Sequence, residues 1–228
     1  MKYPRRVRSP WNAMGSSARM RLSCPHGVSY VGASAIIFAG MLVGFAAPFR
    51  PGQTIPITIH GHLERVVLSP GSDPSVAVWR GTRRIWEGIP QRWRPWKIAA
   101  ADVDGDGLPE IAVGVTKRTR YFPTLHHCLF LYTWNGARVA PKWLGSALSR
   151  PFTDFAFGPL DGPGGDRLVS VETLANGRRR IVAYAWNGFG FTGEWQRGSW
   201  RSARLVTVRK GEVELIADGK RIIVHSPR

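Results

Sequence analysis

The chain has 228 residues, 43% of them hydrophobic and 21% charged, with a formal net charge of +17. That is enough apolar material for one substantial core or two small ones, and it excludes a wholly disordered polyelectrolyte. Two cysteines exclude a fold stapled by disulfides.

The charge is unevenly placed. Lys2, Arg5, Arg6, Arg8, Arg19, Arg21 and Arg50 are the only charged residues of the first fifty, so +17 less these 7 leaves +10 for the rest. Residues 1–21 read as a basic cytoplasmic segment. Residues 22–49 carry no charge and have an apolar heart at 31–47, long enough for a bilayer, which takes ~20 residues. Positive charge before this run, with only Arg50 after it, predicts a cytoplasmic N-terminus and a single-pass membrane protein whose C-terminal domain is extracytoplasmic. The alternative is a secreted protein, with Gly44-Phe45-Ala46 offering small residues for signal cleavage. The anchor is favoured because the uncharged run exceeds a signal core of about 7–15 residues. A buried soluble helix does not fit, since the run has no polar face. Gly40-Met41-Leu42-Val43-Gly44 would permit close helix contact in a bilayer. Cys24 and Cys128 fall on opposite sides of this segment, so no internal disulfide is expected. Arg21-Leu22-Ser23 before Cys24 is not a lipoprotein pattern, and Arg5-Arg6 reads as plain positive-inside charge.

The remainder, 50–228, reads as strands. Residues 55–59, 65–68, 75–79 and 83–86 fit a four-stranded unit. Next, Lys97-Ile98-Ala99-Ala100-Ala101 and the apolar run from Glu110 to Val115 are two short strands around Asp102-Val103-Asp104-Gly105-Asp106-Gly107-Leu108-Pro109-Glu110. Acids at relative positions 1, 3 and 5 converge on one hard cation only if the backbone wraps tightly, which Gly105 and Gly107 allow. Position 12 is Val113, not the bidentate Glu of an EF-hand. Closure by Glu110 at position 9 with a backbone carbonyl near Leu108 is the remaining arrangement. The predicted calcium ligands are Asp102, Asp104, Asp106, Leu108 and Glu110. An acidic turn without an ion is the bland alternative, because Asp-Gly turns are common in all-β proteins.

A period near 50 residues follows. Residues 129–136, ending Trp134-Asn135-Gly136, echo 181–188, ending Trp186-Asn187-Gly188. Each Asn-Gly predicts a type I′ hairpin turn, with a second strand over 137–143 or 189–195. The run 110–115 parallels 166–171, and the acidic loop parallels 160–166, which keeps only Asp161 and Asp166 and is expected to bind an ion weakly or not at all. Residues 203–208, 212–217 and 221–224 supply three last strands. Counting four strands to each of three repeats and three to the last gives fifteen, one short of a four-bladed propeller, and residues 55–59 could instead close the ring on the last blade.

The loop pattern D-x-D-G-D-G-x-x-D/E between the first two strands of a blade resembles the FG-GAP/VCBS repeats of integrin-α-like β-propellers. The resemblance covers roughly 55–228, with one full-strength motif at 102–110. It implies an all-β fold, a small propeller-like array of about four blades preceded by one transmembrane helix, with calcium as the cofactor. Such propellers are more often seven-bladed, which puts ring closure in question.

The other candidates carry less. His60-Gly61-His62 and His126-His127-Cys128 lack the four spaced ligands of a structural zinc site. Nine tryptophans recur with the repeat, which points to packing between blades ahead of ligand stacking. No G-x-S-x-G, H-E-x-x-H or phosphate-loop pattern is present, so the chain does not read as an enzyme. It reads as a binding or structural module. The rival readings are a lectin-like or polyanion-binding cell-wall module and an enzyme without a visible motif. Arg178-Arg179-Arg180 with Arg197, Arg201, Arg204, Arg209 and Lys210 could meet an anionic envelope polymer. A surface protein or glycan is an equally open partner, and export makes nucleic acid a poor one.

Overall fold

The computed structural model describes residues 52–227. The segment 1–21, the apolar run 22–49, Cys24 and the cleavage alternative at Ala46 lie outside these residues. Among the described residues no helix is long and apolar enough to cross a membrane.

Fifteen strands form four antiparallel sheets arranged as propeller blades. The first blade is β1 (Gln53–Ile59), β2 (His62–Leu68), β3 (Val76–Arg80) and β4 (Arg83–Gly88); the second is β5 (Lys97–Ala101), β6 (Glu110–Lys117), β7 (His126–Trp134) and β8 (Val139–Gly145). The third is β9 (Phe152–Gly158), β10 (Arg167–Thr173), β11 (Arg179–Trp186) and β12 (Phe191–Trp200), and the fourth is β13 (Ala203–Arg209), β14 (Glu212–Ala217) and β15 (Lys220–His225). Within each blade the strands follow chain order, and β1, β5, β9 and β13 pack in succession. The strand at 55–59 therefore belongs to the first blade, and the last blade has three.

Burial pattern explains the order of blades. β6 and β10 are buried over six consecutive residues, because both faces of their sheets are covered by neighbouring blades. This is why Ile111-Ala112-Val113 and Leu168-Val169 read as continuous apolar runs. β1 and β14 alternate instead, with Ile57 and Ile59 or Val213, Leu215 and Ala217 on one covered face. Three buried clusters result among the described residues, one between each pair of consecutive blades. Ile59 and Val66 meet Ile111 and Trp134 in the first, Ala112 and Leu131 meet Phe155 and Leu168 in the second, and Val169 and Ile181 meet Leu205 and Leu215 in the third. Each fully buried Leu or Ile contributes ~1.5–3 kcal/mol over leaving it in water. No buried cluster among the described residues joins the fourth blade to the first.

The tryptophans divide among these seams. Trp86, Trp93 and Trp134 join the first, Trp96, Trp143 and Trp186 the second, and Trp195 and Trp200 the third. Trp79 stands outside them, on the uncovered side of the first blade, with the Arg84 guanidinium 5.8 Å from its ring centre. Trp134 also donates to Glu64, whose buried carboxylate takes the Arg80 guanidinium at 2.6 Å.

The turns differ from expectation at one point. Trp134 pairs with Val139 and Trp186 with Phe191, so each connection has four residues and cannot be a two-residue type I′ turn. Asn135 Oδ1 accepts the N–H groups of Ala137 and Arg138 instead, and Asn187 Oδ1 those of Phe189 and Gly190. The asparagine side chain thus sets the turn. Two-residue turns with both φ positive occur at His60-Gly61 and Asp218-Gly219.

Candidate metal centre

Residues 102–109 connect Ala101 of β5 to Glu110 of β6, which pair across the sheet. Asp102 organises the loop. Its Oδ1 accepts the N–H groups of Gly105 at 2.7 Å and Asp106 at 3.1 Å, and its Oδ2 accepts that of Gly107 at 2.8 Å. Gly105 and Gly107 have φ of +76° and +85°, a region open to glycine and costly for other residues. Asp106 Oδ1 accepts the Leu108 N–H at 2.8 Å. Val103 between the acids is buried and anchors the loop beneath the second seam.

This wrapping brings Asp102, Asp104 and Asp106 together, with one ligand atom of each within 4.8 Å of the others. Oxygens around calcium at 2.3–2.6 Å lie about that far apart across the ion. Among the described residues it is the one group of three or more such side chains.

Glu110 stands apart from the three. It is buried, its Oε2 accepts the Val103 N–H at 3.0 Å, and its Oε1 takes the Lys142 ammonium at 2.7 Å. Lys142 on β8 also binds Asp104 Oδ2 and lies 5.7 Å from the Trp186 ring centre. Burial lowers the lysine pKa, but the bonds to Asp104 and Glu110 outweigh it and leave it above the ordinary value. Burial raises the Glu110 carboxyl, against the pull of Lys142 and the Val103 N–H. The fold supplies a cation of its own to the acids.

Sequence reading missed Lys142, which lies 38 residues from Asp104 and 32 from Glu110. Repeat comparison could have found it. Trp143 echoes Trp195, so Lys142 echoes Glu194, and Glu194 takes the Arg167 guanidinium at 3.1 Å in the third blade. The strand register makes Arg167 the counterpart of Glu110, since Ile111 faces Tyr132 as Leu168 faces Tyr184. The same ion pair recurs with its charges exchanged.

That register also corrects the alignment of the loops by one residue. Gly158 pairs with Arg167 as Ala101 pairs with Glu110, so 159–166 matches 102–109 in length. Pro159, Asp161 and Pro163 then stand where Asp102, Asp104 and Asp106 do. Gly162 and Gly164 keep the positive φ, at +119° and +89°. The second loop retains the turn and only one of the acids. Asp161 accepts the Ser226 hydroxyl at 2.5 Å, and Asp166 donates its N–H to the Asp102 carbonyl at 2.6 Å. Burial and then the Asp102 charge raise the Asp166 carboxyl. A side chain at Gly165 would come within 2.2 Å of the Asp102 carbonyl oxygen, so glycine lets the two loops pack backbone to backbone.

The remaining candidates have other partners. His127 Nδ1 lies 2.9 Å from the Phe152 carbonyl, and both ring nitrogens of His126 lie against carbonyl oxygens. The Arg178-Arg179-Arg180 run does not present one face. Arg178 binds the Ser199 carbonyl and hydroxyl, while Arg180 turns inward to the buried Glu172 at 3.0 Å.

The family described as FG-GAP repeat matches residues 94–119, which span β5, the acidic loop and β6. No curated protein matches the chain. The match covers one repeat unit, and the four-bladed arrangement rests on the sheet topology.

Proposed function

We propose that the blades form a calcium-binding propeller module that works as a binding or structural surface, held outside the cytoplasm by the apolar segment 22–49. The convergence of Asp102, Asp104 and Asp106 within 4.8 Å is the observation that carries this reading. The loop turn is set by the bonds of Asp102 to the backbone, which hold the three acids close together, although Asp104 must give up Lys142 to take an ion. Oxygen donors suit a hard cation. Asp102, Asp104 and Asp106 would hold the ion, with the Leu108 carbonyl closing the set. When bound, the ion supplies positive charge that offsets the mutual repulsion of the acids. Glu110 would join only by releasing Lys142.

Melting of the full chain with and without calcium tests the site, because a ligand selective for the native state stabilises it by RT ln(1 + [L]/Kd). Asp104→Ala and Asp106→Ala should each lose most of the calcium-dependent rise. An unchanged rise in both, or no rise in the parent, contradicts the reading. Reporter fusions after Arg50, expected to be active only outside the cytoplasm, test the placement separately.

A further inference from the structure

The two ends of the propeller carry opposite charge. Gln53 Oε1 accepts the Ile98 N–H at 2.9 Å, so β1 and β5 start side by side, and the strands alternate in direction from there. The acidic loop packs on 159–166 at the far end, where the Ser226 hydroxyl bonds both Asp161 and the Gly211 carbonyl. The connections at that end hold five aspartates against Arg138 and Lys210. Those at the near end hold Arg92, Arg94, Arg118, Arg120, Arg150 and Arg201, all exposed, and Arg178, which is held by Ser199. None of the exposed six pairs with an acid among the described residues. The two aspartates of the near-end connections, Asp73 and Asp218, are each used on a backbone N–H, of Gln91 and Ser202.

The same basic end exposes apolar side chains. Residues 118–125 join β6 to β7, and Tyr121, Phe122 and Leu125 in them are 77%, 44% and 48% exposed. A turn fixes the tip, with the Thr119 N–H donating to the Phe122 carbonyl at 3.0 Å and the Phe122 N–H to the Thr119 hydroxyl at 3.2 Å. The 89–96 connection lies beside this loop, since the Arg94 carbonyl accepts the Thr116 N–H at 3.2 Å and the Lys117 ammonium lies 4.2 Å from the Trp93 ring centre. Single exposed apolar residues need no explanation, but three on one short loop at the most basic end mark a contact surface.

Gln53, where β1 begins, is at this end too, and the uncharged run 22–49 closes four residues earlier. Four residues of extended chain reach about 14 Å at most, so a bilayer that held that run would lie within reach of this end. A soluble polyanion would use the arginines and leave Tyr121, Phe122 and Leu125 in water. A lipid headgroup layer takes both, with apolar side chains at the acyl boundary and guanidinium groups on phosphates.

We propose that the end carrying 89–96 and 118–125 is a docking face for anionic lipid, with Tyr121, Phe122 and Leu125 in the headgroup layer and Arg92, Arg94, Arg118 and Arg120 on phosphates. Its orientation rests on the membrane position given to 22–49, and it uses no residue of the acidic loop.

Fluorescence quenching on the full chain tests it. In a Cys24→Ser background, where Cys128 is buried, a nitrobenzoxadiazole label is attached at Thr124→Cys on the loop or at Phe189→Cys on the opposite end. The chain is added to vesicles of phosphatidylcholine, alone or mixed with phosphatidylglycerol, with brominated acyl chains as quenchers. The label at 124 should be quenched several-fold more in anionic than in neutral vesicles, and the label at 189 in neither. Added salt should weaken the effect, because exposed charges are screened beyond ~8 Å at physiological ionic strength. Arg118→Ser with Arg120→Ser, and separately Tyr121→Ser with Leu125→Ser, should each reduce quenching several-fold at an unchanged melting temperature, since all four side chains are exposed. Carbonate extraction separates the two readings: a chain that washes off refutes the anchor, while quenching at 124 before the wash still supports the face. No quenching at 124, equal quenching at 124 and 189 or in the two lipid mixtures, or quenching unmoved by both double variants overturns the proposal. So does a response at 124 to soluble polyphosphate with none to anionic vesicles, which makes the face a polymer site.

Discussion

Lys142→Met removes the cation that the fold places among its acids. The Lys142 side chain is 13% exposed, against 3% for Glu110 and 32% for Asp104. Removing one partner of a buried pair leaves an uncompensated charge at a cost of about 3–5 kcal/mol, and the exposure of Asp104 puts this case near the lower end. A loss of about 3 kcal/mol lowers the melting temperature of a domain this size by roughly 6–12 °C. Calcium should recover much of the loss, since a divalent ion beside Asp104 replaces charge that the ammonium supplied. Without the competing lysine the ion should bind more tightly, about tenfold for each 1.4 kcal/mol of competition removed. Scanning calorimetry in chelator and in calcium therefore predicts a lower melting point and a larger calcium-dependent rise in the variant. Adding Glu110→Gln should restore most of the stability in chelator. A variant that melts with the parent in chelator, or gains no more from calcium than the parent does, refutes the role given to Lys142.

Glu172→Leu should cost about 3–5 kcal/mol in chemical denaturation because it strands Arg180, and pairing it with Arg180→Met should recover a large part. Gly158→Ala should cost about 1–3 kcal/mol by the same measure, since the added Cβ would sit 2.4 Å from the Val208 carbonyl oxygen where β9 meets β13. Burial pushes the Tyr132 and Tyr184 hydroxyls up to about 12 from an ordinary value of 10.0. Their folded-state pKa values are raised, so the stability they contribute is complete below pH 10 and is lost as pH rises through about 12; their phenolate absorbance should appear late and together with unfolding. Burial likewise pushes the Cys128 thiol up to about 11, and in a Cys24→Ser background it should resist alkylating reagents at neutral pH until the chain unfolds.

Much of the architecture is legible in the residues themselves. β5 and β14 begin and end where the apolar pattern and flanking turn residues place them, and the fifteen strands fall into the expected blades. Local signals suffice there, because a strand covered on both faces must be continuously apolar and one covered on a single face must alternate. Pairing across long separations is not written locally. The match of Glu110 to Arg167 depends on cross-strand register, and Asp166 looks the better partner by residue type alone. Lys142 reaches its acids only because β8 closes the second blade over the loop. Glu64 and Glu172 carry no local signal of burial, which comes only from the stacked sheets where their carboxylates meet Arg80, Trp134, Arg180 and Tyr184. The Asn-Gly dipeptides signal a turn correctly, but the side chain of the asparagine, not positive φ at both residues, sets the form it takes.

The three aspartates of the β5–β6 loop are proposed as the calcium site of the module. A crystal structure of the full chain grown with calcium, with the ion identified by its anomalous scattering, tests it most directly. One principal ion is expected among Asp102, Asp104 and Asp106 with the Leu108 carbonyl, and Lys142 withdrawn from Asp104. Calcium bound elsewhere, or a loop that keeps Lys142 on Asp104 with no ion at saturating calcium, would contradict it.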